Sequence, residues 1–258
     1  MDFSKKLQNI IAKNNSLVCV GLDPEQDKLP QGTSQFEFNK NIIDQTHDLV
    51  CAYKPNIAFY EGAGIEGLQS LRDTINYLKK QYPEIPIILD AKRADIGNTA
   101  KMYAKSAFDV YGADAVTVYP HLGLDSIEPF LFYKNKLTIL LFKTSNPDSG
   151  TFQNIEIGGI PYYLKVAQTV KSWNRKNIGI FVGATYPQEM AKLREIFPDS
   201  VFLSAGIGAQ DADIEATVKA GVDKNGTGIM FNASRSIIFD NNPRGAAQKL
   251  RDEINKYR

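Results

Sequence analysis

The run Asp90-Ala91-Lys92-Arg93-Ala94-Asp95 concentrates more potential chemistry than any other stretch of the chain. Asp90 and Lys92 are two residues apart, so an extended strand would turn both side chains to one side, where a carboxylate and an ammonium meet. Asp95 follows three residues later, and two acids around one lysine favour the charged ammonium. Such a lysine suits proton donation better than Schiff-base attack, which needs a neutral amine. The same spacing also suits a structural ion pair with Asp95 as a helix cap, and the residue pattern leaves both readings open.

A second group of residues points to an anion. Gly206 and Gly208 allow backbone N–H groups to approach a phosphate near an expected helix start at about Gln210. Arg235 could add a bidentate, charge-assisted clamp. Asp211 interrupts any Gly-x-Gly-x-x-Gly, so no dinucleotide fingerprint is completed. A tight turn plus a surface arginine is the plainer reading of the same residues. Asp23 and Lys54, each beside a proline, read on their own as solvated charges at strand ends. His47 and His121 are far apart in the chain and give no local metal motif, and Cys19 reads as a buried strand residue.

What must position these residues is visible as alternation. Apolar, often β-branched runs at 17–22, 52–59, 85–91, 115–119, 137–143, 178–183, 200–205 and 226–232 alternate with stretches of helical period. Near-continuous apolarity fits parallel strands buried on both faces. Phe38, Ile42, Leu49 and Val50 share one helical face, and Leu68, Leu71, Ile75 and Leu78 another. Tyr103, Ala104, Ala107, Phe108 and Tyr111 continue the pattern, with Gly112 as a stop. Asp125-Ser126-Ile127-Glu128 resembles a capping box with Asp125 as the cap.

Eight strand–helix units predict a closed (β/α)₈ TIM barrel over residues 1–258 as a single catalytic domain; an open doubly wound sheet shares the alternation. In such a barrel the strands' C-terminal ends carry the site, and Asp23, Lys54, Asp90, Lys92, Ser145 and Arg235 all fall at such ends. The segment 146–161, with three glycines and two prolines, is long for a strand–helix loop and reads as a lid or a surface insertion.

Composition narrows the partners. Thirty basic residues against 29 acidic ones leave a net charge of +1, without the basic blocks of a non-specific nucleic-acid binder. No apolar run approaches the ~18 residues of a membrane helix, and two cysteines suit a cytoplasmic address better than a disulfide framework.

Asp90-Ala91-Lys92-Arg93-Ala94-Asp95-Ile96-Gly97-Asn98-Thr99 resembles the signature of the orotidine 5′-monophosphate decarboxylases, Asp-x-Lys-x-x-Asp-Ile with a Thr three residues after the Ile. The resemblance extends along nearly the whole chain, through Gly21-Leu22-Asp23-Pro24, Tyr53-Lys54-Pro55-Asn56, Lys143-Thr144-Ser145-Asn146-Pro147, Gly206-Ile207-Gly208-Ala209-Gln210 and Asn232-Ala233-Ser234-Arg235. The family often has Pro-Gly in place of Ala205-Gly206 and Gly-Gly in place of Asp211-Ala212, a departure that bears on the shape of the Gln210 loop.

The resemblance implies decarboxylation of orotidine 5′-monophosphate to UMP in pyrimidine synthesis, with no cofactor and no metal. It implies that Lys92 stabilises a C6 carbanion and protonates it, with Asp90 and Asp95 holding Lys92 and Lys54 orienting Asp90 and the ribose. Asp23 would contact the ribose, Ser145 the pyrimidine, and Gln210 and Arg235 the phosphate. Asp95 and Thr99 would reach into a partner subunit's site, which implies a homodimer with shared active sites. Two alternatives are a metal-dependent sugar-phosphate decarboxylase or aldolase on the same scaffold, and a non-catalytic nucleotide-binding barrel.

Overall fold

Continuous apolar, β-branched sequence becomes buried parallel strand. The computed structural model describes residues 2–207 and 213–258. Its main strands are β1 (Val18–Leu22), β2 (Ala52–Pro55), β3 (Ile88–Arg93), β4 (Ala115–Val118), β5 (Leu137–Lys143), β6 (Ile178–Gly183), β7 (Phe202–Ala205) and β8 (Ile229–Ala233). Every residue of β5 and of β6 is buried, as expected for strands covered on both faces.

The strands pair in the order β2-β1-β8-β7-β6-β5-β4-β3, with parallel neighbours throughout. The ends of this series meet through bridges between Tyr53 and Ile87 and between Asn56 and Asp90. The result is a nearly closed (β/α)₈ barrel. A doubly wound sheet would reverse its strand order and leave two open edges, so that alternative is set aside.

The surrounding helices are α1 (Phe3–Asn14), α2 (Gln35–Thr46), α3 (Gly64–Gln81), α4 (Gly97–Lys105), α5 (Leu124–Leu131), α6 (Tyr162–Ser172), α7 (Pro187–Ile196), α8 (Ile214–Gly221) and α9 (Pro243–Asn255). Each lays an apolar stripe on the barrel, as Leu71, Ile75 and Leu78 of α3 and Met190 and Leu193 of α7 do. No described helix is long and apolar enough to cross a membrane.

Several expected boundaries move, for local reasons. β2 stops at Pro55 because the Asn56 side chain accepts from Ala58 N at 3.1 Å and starts the one-turn helix Ala58–Glu61, which takes Phe59 out of the strand. β8 starts late because Gly226 and Gly228 have φ of +70° and +76°, in a turn organised by Asp223. α2 ends at Thr46, so Leu49 and Val50 are buried beyond the helix and not on its face. The capping box expected at Asp125 is absent. α5 is preceded by Gly123 at φ +93°, and Ser126 Oγ turns back to donate to Gly123 O at 2.7 Å. A full capping box stands instead at Ser34 and Glu37, ahead of α2.

Candidate active site

Lys54 and Asp90 face each other across the β2–β3 seam, where the barrel closes. Register places Lys54 beside Gly21 of β1, and Asn56 bridges to Asp90. Lys54 Nζ donates to Asp90 Oδ2 at 3.0 Å, with Lys54 only 3% exposed. The expectation of Lys54 as a solvated strand-end charge is therefore wrong. Lys92 Nζ approaches the same carboxylate from the mouth, at 2.7 Å from Oδ1 and 2.9 Å from Oδ2. The Thr117 hydroxyl donates to Asp90 Oδ1 at 2.8 Å. The Lys92 side chain keeps 37% of its surface exposed, while its counter-ion Asp90 is buried.

The electrostatics follow from this packing. Burial by itself would push the Asp90 carboxyl up. The charges of Lys54 and Lys92, with hydrogen bonds from Lys92 and Thr117, overcome that and hold it well below the usual carboxylate range. Burial would likewise push Lys54 down, but the charges of Asp90 and Asp23 raise it above the ordinary lysine value. Cys19 lies close to the same group, and burial pushes its thiol up to about 12, so it stays protonated and inert.

Asp95 does not join this network within one chain. Its carboxylate accepts from its neighbour Ile96 N at 2.8 Å, and no ion pair links it to Lys92 among the described residues. Nor does it cap α4, which begins at Gly97 behind Ile96. Thr99 is exposed on the first turn of α4. Asp95 is half-buried, and Ile96 and Met102 nearby in the chain are exposed.

The other expected residues sit on the same rim. Asp23 follows β1, is half-buried, and accepts from Asn56 N at 3.3 Å. A cleft of about 430 Å³ opens beside it, lined by Asn56, Phe59, Gly206, Ser234 and Arg235 among others. Gly206 has φ +101°, a conformation glycine adopts without strain. Arg235 is exposed at the start of the one-turn helix Arg235–Ile238. Ser234 before it donates to Gly21 O at 3.1 Å, and a Cβ on Gly21 would stand 2.7 Å from Ser234 Cβ, so the absent side chain at 21 lets the two strand ends meet. Gln210 lies outside the described residues, and α8 begins at Ile214 with Asp213 capping Ala216 N at 3.0 Å.

Ser145 follows β5 and rests against Gly183, where a Cβ would come within 2.8 Å of Ser145 Cβ. The 146–161 segment, read as a lid or a surface insertion, contains short elements of its own. It holds a one-turn helix, Gly150–Gln153, and a hairpin pairing Glu156–Ile157 with Ile160–Pro161 through Gly158 and Gly159, both at positive φ. It is fastened to β5. Fully buried Lys143 donates to Asn154 Oδ1 at 2.9 Å and stands 4.5 Å from the centre of the Tyr186 ring. Gln153 exchanges two hydrogen bonds with Thr144, at 2.9 and 3.0 Å.

Sequence reasoning missed Thr117, Gly183 and the role of Lys143. The available signals were a lone hydroxyl in the apolar run Ala115-Val116-Thr117-Val118 and a lysine closing a mostly apolar strand.

The arrangement is an ammonium held beside a carboxylate at the barrel mouth, with a separate cleft on the same rim that Asp23 and Arg235 line. The sequence pattern of the "Orotidine 5′-phosphate decarboxylase / HUMPS family" matches residues 16–250. The chain belongs to that family. It is 48% identical to the orotidine 5′-phosphate decarboxylase of Cellvibrio japonicus and 46% identical to that of Ralstonia nicotianae, each over the full length of both chains. The solved OMP decarboxylase of Leishmania donovani superposes with a TM-score of 0.89 at 38% identity, over 100% of this chain and 98% of that one. The family signature from Asp90 to Thr99 runs from the end of β3 into α4.

The paired charges set a pH dependence. A carboxyl depressed in the folded state stabilises the fold above its unfolded value, near ~3.9, and that contribution is lost as pH falls toward the folded value. The raised Lys54 contributes below its unfolded value, near ~10.4, and its contribution is lost as pH rises toward the folded one. Asp90→Asn should cost about 3–5 kcal/mol at neutral pH by stranding Lys54. It should also flatten the loss of stability between pH 4 and 2 by up to about 1.4 kcal/mol per pH unit. Denaturant unfolding across pH checks both, and an unchanged acid slope would remove Asp90 from the linkage.

Proposed function

We propose that this chain decarboxylates orotidine 5′-monophosphate to UMP, as one catalytic unit over residues 1–258, without a cofactor. The observation that carries this reading is the Lys54–Asp90–Lys92 network at the barrel mouth, on the same rim as the cleft lined by Asp23 and Arg235.

In this reading the bond from C6 to the carboxylate breaks, CO₂ departs, and the electron pair stays on C6. The Lys92 ammonium stabilises that charge and then transfers a proton from Nζ to C6, and water restores the proton. Fixed charge aimed at developing charge is effective because it needs no reorganisation during the reaction. Asp90 and Lys54 keep Lys92 in place, and Lys54 and Asp23 meet the ribose. Ser145 meets the pyrimidine. Arg235, with Gln210, takes the phosphate, whose binding energy supports the distant transition state.

Asp95 makes no described contact with Lys92 and Thr99 is exposed, which supports a role for both in the site of a second copy and hence a homodimer. The near-neutral charge and unpaired cysteines support a cytoplasmic enzyme. A metal-dependent sugar-phosphate reaction is less well supported, because two ammonium groups crowd the carboxylate that would have to hold the cation.

Lys92→Ala should abolish the spectrophotometric loss of orotidine 5′-monophosphate, with or without chelator in the parent assay, while UMP still binds. Near-parental turnover would refute the assignment. Arg235→Ala should weaken UMP binding roughly 10- to 100-fold, since a charge-assisted contact is lost. Unchanged affinity in a calorimetric titration would count against the phosphate role. Sedimentation at assay concentration should give a dimer, and a fully active monomer would overturn the shared site.

A further inference from the structure

β3 does not end as a regular strand. Ile88 and Leu89 pair with Ala115 and Val116, but the next pair is Arg93 with Val118, so β3 advances four residues while β4 advances two. The surplus is a bulge containing Asp90, Ala91 and Lys92. Within it Lys92 has φ +46°, a left-handed conformation shared among the described non-glycine residues only with Asn15 and Asn174. Asparagine tolerates that region; a lysine there costs about 1–2 kcal/mol unless its surroundings impose it. The bulge also turns the backbone amides of Ala91 and Lys92 away from ladder partners.

One oxygen answers all of this. Thr117 Oγ1 accepts from Ala91 N and from Lys92 N, each at 3.0 Å, and donates its proton to Asp90 Oδ1 at 2.8 Å. A hydroxyl has one donor and two acceptor sites, so its capacity is used in full. Thr117 is 1% exposed.

We infer that Thr117 is the positioning residue that sets the reactive geometry of Lys92, by holding the bulge of β3 and the Asp90 carboxylate with a single hydroxyl. This rests on Lys92 being the proton donor of the proposed reaction. It goes beyond that reading by assigning the arrangement of Lys92 to a residue on a different strand, one that contacts neither substrate nor the reacting atoms. In a regular strand, residues 90 and 92 would project side by side from the pleat. The bulge instead folds Lys92 back until its ammonium spans both oxygens of Asp90.

The test compares Thr117→Val, which keeps the shape and removes the hydroxyl, with Thr117→Ser, which keeps the hydroxyl. Val should lower kcat roughly 100-fold, the scale of an ångström-level misplacement. KM for orotidine 5′-monophosphate and affinity for UMP should stay within about 3-fold, because Asp23 and Arg235 have no described contact with Thr117 and Lys54 keeps its own bond to the other Asp90 oxygen. Ser should restore kcat to within about 5-fold of the parent, the tolerance for losing one methyl group beside a kept hydroxyl. A merely structural role would lower the melting temperature and leave kcat per folded molecule intact. Should Val not fold, Thr117→Cys, with its weaker donor and acceptor, must show the same fall in kcat at unchanged KM. Parental kcat in whichever of Val or Cys folds, or no recovery in Ser, overturns the inference. Lys92→Ala separates the two layers. If that variant is inactive while Thr117→Val turns over normally, only the positioning role fails. If Lys92→Ala is active, the reaction itself is misassigned.

Discussion

A buried carboxylate must be compensated, and the barrel mouth is organised around compensating Asp90. Transfer of an unpaired carboxylate into a protein interior costs several kcal/mol even after relaxation. Here two ammonium groups and a hydroxyl meet the two oxygens, each arriving from a different place: Lys54 from β2, Thr117 from β4 and Lys92 from the bulge of β3 itself. The carboxylate also sits on the seam where β2 and β3 meet through two bridges instead of a continuous ladder. The ion pair with Lys54 therefore crosses the least hydrogen-bonded join in the barrel. Fold closure and site electrostatics depend on the same contact, so a change that disturbs one disturbs the other.

Much of this was legible in the sequence wherever burial alone dictates the outcome. The runs that became β5 and β6 have the expected bounds, since a strand covered on both faces is mostly apolar along its length. Expectation failed where a side chain competes for the backbone. Asn56 ends β2 early by capping the turn that follows, and Gly123 replaces the expected cap at Asp125. The pairing of Asp90 with Lys92 was anticipated, but from the alternation of a regular strand. It arises instead from a bulge and a left-handed residue, which no two-residue period encodes. Lys54 showed the converse error. As an isolated charge at a strand end it read as solvated, because its counter-ion lies on a different strand, 36 positions later.

The rim divides its work by strand. The seam supplies opposed charges. The cleft beside β1 and β8 depends on a glycine at 21, where any side chain would collide with Ser234 and push the start of the Arg235 turn outward. The β5–β6 side depends on a glycine at 183, where any side chain would collide with Ser145. The two polar groups nearest the proposed ends of the nucleotide are thus placed by what neighbouring strands omit. Lys143 works differently again: a fully buried ammonium with no carboxylate partner among the described residues, satisfied by Asn154, Ser149 and the face of Tyr186. It ties the long β5–α6 connection to the strand that carries Ser145.

Lys92 is strained, partly exposed and ion-paired at once, and these properties constrain each other. Exposure is needed for it to meet a ligand, yet an exposed lysine normally samples many rotamers and gains little from a surface ion pair. Burying Asp90 beside it changes that balance, because the carboxylate keeps little access to solvent and the ammonium becomes one of its necessary partners. The left-handed backbone shortens the reach between the two groups, and the strain it carries is offset by hydrogen bonds that the bulge would otherwise lack. A regular strand end would have been more stable locally and would have left the ammonium free to wander. The irregularity is what turns a flexible side chain into a fixed charge.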